Sequence, residues 1–187
     1  MDDWINSDWH SLPVHRIDIE GKHEQPINFQ WGGSLAALQQ ALAAQGWVTA
    51  PDINPVSAMN WLAPEPAIAA LPVLPEVNDG QHQALLMIAP RDAAENSLTV
   101  LRLWPSDRQL ADSDARIWAG KVATLYVEDR LPLISYLRAA DDYIKPLDVL
   151  LTSLEKSSVI KTRLVKRATF EQSRYWDGKV LLAWEGS

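Results

Sequence analysis

The feature that most limits the fold of this chain is the uneven distribution of its strand-like segments. Extended stretches are concentrated between residues 83 and 128 and again after residue 158, with a helical stretch between the two groups. The regular alternation of strand and helix that a doubly wound parallel sheet requires is absent. The sequence therefore predicts an α+β fold in a single domain, with a mainly antiparallel sheet packed against two principal helices. The expected strands span residues 14–19, 27–31, 83–89, 98–104, 116–128, 159–168 and 179–184.

Two segments have the apolar spacing of amphipathic helices. The first has a capping residue at Gly33 or Ser34 and a left-handed stop at Gly46. Asp141 or Asp142 can cap the second. The residues expected on their buried faces are Leu35, Leu38 and Leu42 in the first helix, and Tyr143, Leu147, Leu150, Leu151 and Leu154 in the second.

The ends of the domain are predicted from polarity. Residues 1–12 are polar apart from Trp4 and Trp9 and are interpreted as a linker or N-terminal extension, which leaves residues 13–187 as a single globular domain. The six prolines between residues 51 and 75 exclude long regular elements there. We expect short helical turns at residues 59–62 and 67–71.

Composition excludes several classes of function. The formal net charge of −7 disfavours general nucleic-acid binding, which needs basic surface to neutralise phosphates. The absence of cysteine removes disulfides, thiolate nucleophiles and cysteine-based zinc sites. No apolar run approaches the roughly 18 residues of a membrane-spanning helix, and the first residues do not have the layout of a signal peptide.

Motifs of known catalytic chemistry are not found. The histidines form no His-x-x-x-His pair, there is no Gly-x-Ser-x-Gly elbow, and Gly32-Gly33-Ser34 lacks the lysine and the spacing of a phosphate-binding loop. The carboxylate pairs have the positions of solvated turns and helix caps. From these motifs we expect no catalytic residue, no metal and no cofactor.

Arg102 and Trp104 lie on one face of a strand that is otherwise apolar. A buried arginine needs a partner, because burying an unpaired charge costs much free energy. One interpretation is a structural ion pair with Asp79, Asp107 or Glu24, and the other is an anion site with a stacked aromatic ring. The candidate ligand or anion contacts in this chain are Arg16, His23, Glu24, His82, Arg102, Trp104 and Asp107.

The segment near the C-terminus is basic, although the chain as a whole is acidic. Lys161, Arg163 and Arg167 fall on one face of the predicted strand, and Ile160, Thr162 and Leu164 fall on the other. Such a stripe can lie against anionic headgroups, where each basic residue contributes about 1 kcal/mol. The competing interpretation is that the stripe pairs with the acidic residues of the domain itself.

Several motifs, taken in order, resemble the LssY C-terminal domain family. They are Arg16 to Pro26 (RIDIEGKHEQP), Ile27 to Trp31 (INFQW), Leu35 to Gly46-Trp47, Trp61-Leu62-Ala63-Pro64, Leu71 to Pro75 (LPVLP) and Leu101-Arg102-Leu103-Trp104. The resemblance covers roughly residues 12–128. Many relatives carry a His-His pair just before the arginine-tryptophan strand, where this chain has Val100-Leu101.

The resemblance implies a soluble domain attached to a bacterial inner-membrane protein with a DedA-like module, a PAP2-type lipid phosphatase module, or both. It does not imply an activity for this domain, and it leaves the side of the membrane undefined. The PAP2 signature Pro-Ser-Gly-His is missing, since the chain has Pro105-Ser106-Asp107. The expected partners are the membrane-embedded part of its parent protein and an anionic lipid surface.

Three functions follow from the sequence. The first is a non-catalytic accessory or binding domain of a membrane-anchored phosphatase-type protein. The second is a hydrolase that acts on a phosphorylated or lipid-derived substrate. The third is an oligomerisation or interaction module. A deep pocket with mutually bonded histidine, arginine and aspartate would favour the enzyme.

Overall fold

The computed structural model describes residues 2–51, 53, 68, 71–91, 96–111, 115–131, 134–168 and 176–186. The helices are α1 (Asp2–Asn6), α2 (Leu35–Ala43) and α3 (Ile144–Glu155), with a 3-10 turn at Asp8–Ser11. The strands are β1 (His15–Ile17), β2 (His23–Pro26), β3 (Phe29–Gly32), β4 (Val48–Thr49), β5 (Val77–Asn78), β6 (Gln81–His82), β7 (Leu85–Ile88), β8 (Ser97–Gln109), β9 (Arg116–Leu131), β10 (Ile134–Ala139), β11 (Ile160–Lys166) and β12 (Lys179–Glu185). The turn expected at residues 59–62 lies outside the described residues.

The main sheet has the strand order β11-β12-β3-β9-β8-β7-β4, and β10 pairs with the distal half of β9. Every pairing in it is antiparallel except that of β12 with β3. Two separate hairpins, β1–β2 and β5–β6, lie outside this sheet. The predicted α+β fold with a mainly antiparallel sheet is confirmed.

Helices α2 and α3 cover one face of the sheet. Ser34 caps α2, because its hydroxyl accepts a hydrogen bond from the backbone N–H of Ala37 at 3.2 Å. Gly46, with φ +83°, takes the left-handed conformation predicted after α2. The apolar residues of both helices pack against the sheet and form the main core with it. The buried residues of this core include Trp31, Leu38, Leu42, Trp47, Leu101, Leu103, Leu147, Leu150, Leu154 and Leu181.

The other face of the sheet is covered by the N-terminal segment, the hairpin β1–β2 and residues 71–82. The sequence predicts a linker or N-terminal extension over residues 1–12. The described part of it, residues 2–12, packs on the sheet, because the side chains of Trp4, Trp9 and Leu12 are buried in this layer. The Trp4 indole donates to Gln30 Oε1 at 3.0 Å, and Gln30 Nε2 donates to the Trp9 carbonyl at 2.9 Å. The polar residues between the tryptophans face solvent, which is why the segment has a polar sequence.

None of the described helices combines the length and the apolar character that crossing a bilayer would need.

Candidate functional site

The charged centre of the molecule is built on two neighbouring strands. Arg102 of β8 lies directly opposite Lys121 of β9 in the antiparallel register. Paired residues share a face, so both side chains extend from the face opposite α2 and α3. Arg102 is 2% exposed and Lys121 is fully buried. Two cations are therefore held side by side under the covering layer.

The covering layer supplies the groups that face them. β1 contributes Arg16, β2 contributes Glu24, and the segment before β5 contributes Glu76. Arg16 Nη2 pairs with Glu24, and its Nε lies 3.3 Å from Glu76 Oε2. We call Arg16, Glu24, Glu76, Arg102 and Lys121 the ionic cluster. It joins the sheet to the layer that covers it.

Glu76 is the carboxylate that the three cations of the ionic cluster share. Lys121 Nζ lies 2.5 Å from Glu76 Oε2, and Arg102 Nη1 lies 3.5 Å from Oε1. Burial would raise the pKa of Glu76, but the charges of Lys121 and Arg102 outweigh burial and lower it. Glu76 is therefore ionised at neutral pH, which is the state that the cations require.

Burial acts on the cations in the opposite direction. It lowers the pKa of Lys121 to about 8, against the attraction of Glu76, and the neighbouring charge of Arg102 adds to the decrease. Burial also lowers the pKa of Arg102. The cluster holds three cations and two carboxylates, so its formal charge is positive when Lys121 is protonated.

Hydrogen bonds tie the same side chains to the main chain of residues 74–77. Arg102 Nη2 donates to the Leu74 carbonyl at 3.1 Å, and Arg16 Nη1 donates to the Val77 carbonyl at 2.6 Å. The Trp104 indole donates to the carbonyl of Glu76 at 3.1 Å. This segment passes over the sheet with its carbonyls directed at buried donors, which fixes its position.

The geometry places Arg102 in a structural role. As expected, Arg102 is buried and faces a carboxylate. The carboxylate is Glu76, and not Asp79, Asp107 or Glu24. Trp104 is fully buried and bonds the backbone, so it does not offer an open aromatic face beside the arginine. Among the described residues, the Nε and Nη1 nitrogens of Arg102 have no hydrogen-bond partner.

Four of the seven predicted contacts converge and three do not. Arg16, Glu24, Arg102 and Trp104 meet at the ionic cluster. His23 is exposed on β2 and its ring stacks on that of His15 at 6.2 Å, and His82 is exposed on β6. The Asp107 side chain is 93% exposed and lies 4.0 Å from Arg108.

Glu76 and Lys121 are the two members of the cluster that sequence reasoning missed. Glu76 follows Pro75 at the end of the proline-rich stretch, and nothing local marks it as buried. Lys121 had a usable signal, because it is the charged residue between Gly120 and the apolar pair Val122-Ala123 in a predicted strand. A charge at such a position needs a partner for the reason that applied to Arg102.

The basic strand is only partly exposed. Arg167 is 4% exposed, donates to the carbonyls of Leu12 and Pro13, and stacks on the Trp9 ring at 5.5 Å. Arg163 is exposed, but its Nη1 donates to Asn6 Oδ1 at 2.9 Å. The three basic residues therefore do not form one exposed stripe, because the N-terminal segment covers Arg167 and accepts a hydrogen bond from Arg163. Lys161 is exposed as predicted.

A polar cleft of about 570 Å³ lies between the N-terminal segment, the turn of the β5–β6 hairpin and the bend in β8. Asp107 is the one predicted site residue that lines it. Its charged lining has both signs, with Asp79, Arg108 and Arg116 beside Asp107. Among the residues that the structure describes, no group of three or more histidine and acidic side chains is placed to hold a metal ion.

The chain was compared with family models, curated proteins and solved structures. No curated protein and no solved structure is significantly similar to it. The family model described as LssY C-terminus matches residues 9–129. This match spans more than half of the sequence and includes β1 to β8 and all but the last two residues of β9, and with them every residue of the ionic cluster. The chain therefore belongs to the LssY C-terminus family.

Proposed function

We propose that this chain is a non-catalytic accessory domain that binds the membrane-embedded part of its own parent protein. The parent that its family resemblance implies is a PAP2- or DedA-type lipid phosphatase protein of the bacterial inner membrane. In this proposal the domain lies outside the bilayer and contributes binding rather than chemistry.

The observation that supports a non-catalytic role is how the ionic cluster uses its charges. Glu76 contacts Lys121, Arg102 and Arg16, and the arginines donate to main-chain carbonyls. These contacts hold the covering layer on the sheet. A hydrolase needs an acid, base or nucleophile directed at a substrate position, whereas the charges of this cluster are directed at one another.

The positions of the histidines support the same proposal. His23 and His82 are on different hairpins, β1–β2 and β5–β6, and both are exposed. Neither is a member of the ionic cluster. In the described residues they have no arrangement with Arg102 that resembles the bonded histidine, arginine and aspartate group expected of an enzyme.

An assay for phosphate release tests the catalytic part of the proposal. The purified chain is incubated with phosphatidic acid in micelles and with p-nitrophenyl phosphate, with and without Mg²⁺, Mn²⁺ or Zn²⁺. We expect release at the background rate. Turnover well above background that is lost in His23→Ala, His82→Ala or Asp107→Asn, but retained in the surface control Glu20→Ala, would overturn the proposal in favour of the hydrolase.

A binding experiment tests the accessory role. The full-length parent protein is solubilised in detergent after a protease site has been placed between the two parts, and the cleaved domain is followed by size exclusion. Co-elution with the membrane part supports the proposal. Separation of the two parts at micromolar concentration contradicts it.

A further inference from the structure

Strand β11 lies at one edge of the main sheet. It pairs with β12 along its whole length, from Ile160 opposite Glu185 to Lys166 opposite Lys179. Within the described part of the chain no strand pairs with its other side. A strand edge of seven residues is a template for another strand, because its outward N–H and C=O groups lack ladder partners.

The hydrogen bonds at the two ends of β11 show which backbone groups face outward. The Val159 carbonyl accepts from the N–H of Gly186 at 2.7 Å, and the N–H of Arg167 donates to the Gly178 carbonyl at 3.0 Å. In an antiparallel ladder the side to which a residue directs both groups alternates along the strand. The odd-numbered residues therefore bond β12, and the even-numbered residues direct their N–H and C=O groups outward: Ile160, Thr162, Leu164 and Lys166.

The side chains along this edge are exposed and basic. Lys161 and Arg163 are exposed on the face that carries the N-terminal segment, and Lys166 is exposed on the other face. Leu164 is 42% exposed, and Val159, just before the strand, is 60% exposed. The sequence has no acidic residue between Glu155 and Glu171. In the described part of the chain this edge is thus unpaired, positively charged and partly apolar.

The charge determines which strand can add to this edge. If β11 paired antiparallel with β11 of a second copy, with Thr162 opposite Thr162, Lys161 of each strand would lie opposite Arg163 of the other, and like charges opposed across strands are destabilising. A strand with carboxylates at alternating positions would place them on one face, beside Lys161 and Arg163, with the opposite charge. Electrostatic complementarity of this kind favours one partner and disfavours the wrong one.

We propose that the outer edge of β11 binds an extended acidic segment of a partner protein, which adds to the sheet as a further strand. The inference rests on the proposed function as a binding domain and deepens it by naming the chemistry of the partner. Main-chain hydrogen bonds to Thr162 and Leu164 supply affinity in such strand addition, and alternating side chains supply specificity.

The probe is a short acetylated peptide of alternating glutamate and valine, labelled for fluorescence anisotropy. We expect it to bind at least about tenfold more tightly than the same peptide with lysine in place of glutamate, and to lose affinity as salt is raised. It should also bind more tightly than a peptide of equal composition whose glutamates stand in one block. Only the alternating sequence places all of its carboxylates on one face of an extended strand.

The matched variants are Thr162→Pro and Thr162→Val. Proline removes the outward N–H and is tolerated on an edge strand, whereas valine keeps the N–H. Binding should be lost in the first and retained in the second. If Thr162→Pro does not fold, hydrogen exchange of the unmodified protein gives the same test. The amides of Thr162, Leu164 and Lys166 should exchange more slowly with peptide bound, while those of Arg163 and Val165 should change little.

Four results would overturn the inference: no saturable binding of the acidic peptide, equal binding of the lysine peptide, protection away from β11, or dimerisation through β11. Binding to vesicles with anionic phosphatidylglycerol but not to the peptide would instead identify a lipid surface. The phosphate-release assay is independent of all of these results. Catalysis by a chain that still binds the peptide would refute only the proposed function.

Discussion

Lys121 Nζ lies 2.5 Å from Glu76 Oε2, although Lys121 belongs to a strand in the middle of the sheet and Glu76 to the segment that covers it. The contact therefore connects the sheet to the layer that covers it on the face opposite α2 and α3. Arg16 and Arg102 approach the same carboxylate from β1 and β8. The partners differ in number, since Glu76 faces three cations, whereas Glu76 is the one carboxylate paired with Lys121 and Arg102 among the described residues, and Arg16 also pairs with Glu24.

This difference predicts unequal effects of removing the two charges. Glu76→Gln leaves the buried Lys121 and Arg102 without their carboxylate, while Arg16 keeps Glu24, and should cost about 3–5 kcal/mol of unfolding free energy. Lys121→Met removes a buried charge while Glu76 keeps Arg16 and Arg102, so it should cost less than about 1.5 kcal/mol. Urea unfolding measures both. Equal losses in the two variants would show that Glu76 is not shared. The surface variant Asp107→Asn is the control and should change the unfolding free energy by no more than about 0.5 kcal/mol.

The lowered pKa of Lys121 predicts that stability rises with pH in the alkaline range. Burial lowers this pKa to about 8 in the folded protein from 10.5 in the unfolded chain. Between these values the unfolded chain binds more protons, so the unfolding free energy increases with pH. The slope should approach, at most, about 1.4 kcal/mol per pH unit.

Urea unfolding at several pH values between about 7.5 and 9.5 measures this slope. The upper limit avoids Tyr143, whose pKa is raised by burial, so that its ionisation in the unfolded chain near pH 10 opposes the effect. Lys121→Met is the control and should remove the slope. A slope that persists in that variant would assign it to other groups.

In the acid range the unfolding free energy also rises with pH, because the pKa of Glu76, like that of Lys121, is lower in the folded protein than in the unfolded chain. Burial would raise the pKa of Glu76, but the charges of Lys121 and Arg102 hold it below its usual value. The ionised carboxylate therefore contributes stability that is present above its unfolded pKa and is lost as pH falls through the folded one. Acid titration of unfolding should show a smaller loss in Glu76→Gln than in the unmodified chain. An identical loss in both would contradict this assignment.

Local patterns were sufficient for the parts of the fold in which each segment determines its own structure. The leucines of α2, with Ser34 before them and Gly46 after, predict the helix and both of its ends. The alternation around Arg102 predicts a strand, and its apolar neighbours predict that the arginine is buried. These inferences require only the period and the capping chemistry of one segment.

Contacts between segments that are distant in the sequence could not be predicted from local patterns. Nothing near Glu76 indicates that it meets Arg102, because that contact depends on how residues 71–78 cross the sheet. The parallel pairing of β12 with β3 is also non-local, with Leu181 opposite Phe29. The polar sequence around Trp4 and Trp9 predicts a linker or N-terminal extension, because their partner, Gln30, lies in another segment.

The N-terminal layer predicts that Trp9 is essential for stability. Its side chain is buried, supports the guanidinium of Arg167, and belongs to the turn whose carbonyl accepts from Gln30. Trp9→Ala should cost about 3–5 kcal/mol, as large-to-small changes at buried aromatic residues do. Chemical unfolding of this variant beside Glu20→Ala, on an exposed turn, measures the effect. A loss below about 1 kcal/mol would show that the segment is only loosely attached.

The last prediction concerns the residues that follow the family match at 129. Helix α3 places Leu150 and Leu154 in the main core, β12 pairs with β3, and Glu185 of β12 accepts the backbone N–H of Ser34 at the start of α2 at 2.6 Å. A chain that ends at residue 129 would lose these contacts and expose one side of β3. We expect it to be insoluble or to lack a cooperative thermal transition.

A point variant gives the same test without truncation. Leu150→Ala leaves a cavity between α3 and the sheet and should cost about 2–5 kcal/mol, whereas Glu155→Ala, exposed at the end of α3, should change the unfolding free energy by less than about 0.5 kcal/mol. Both are measured by urea unfolding followed by tryptophan fluorescence. If residues 1–129 unfold cooperatively at the same midpoint as the whole chain, α3, β11 and β12 form a separate unit. The cooperative core would then be the segment that the family model matches.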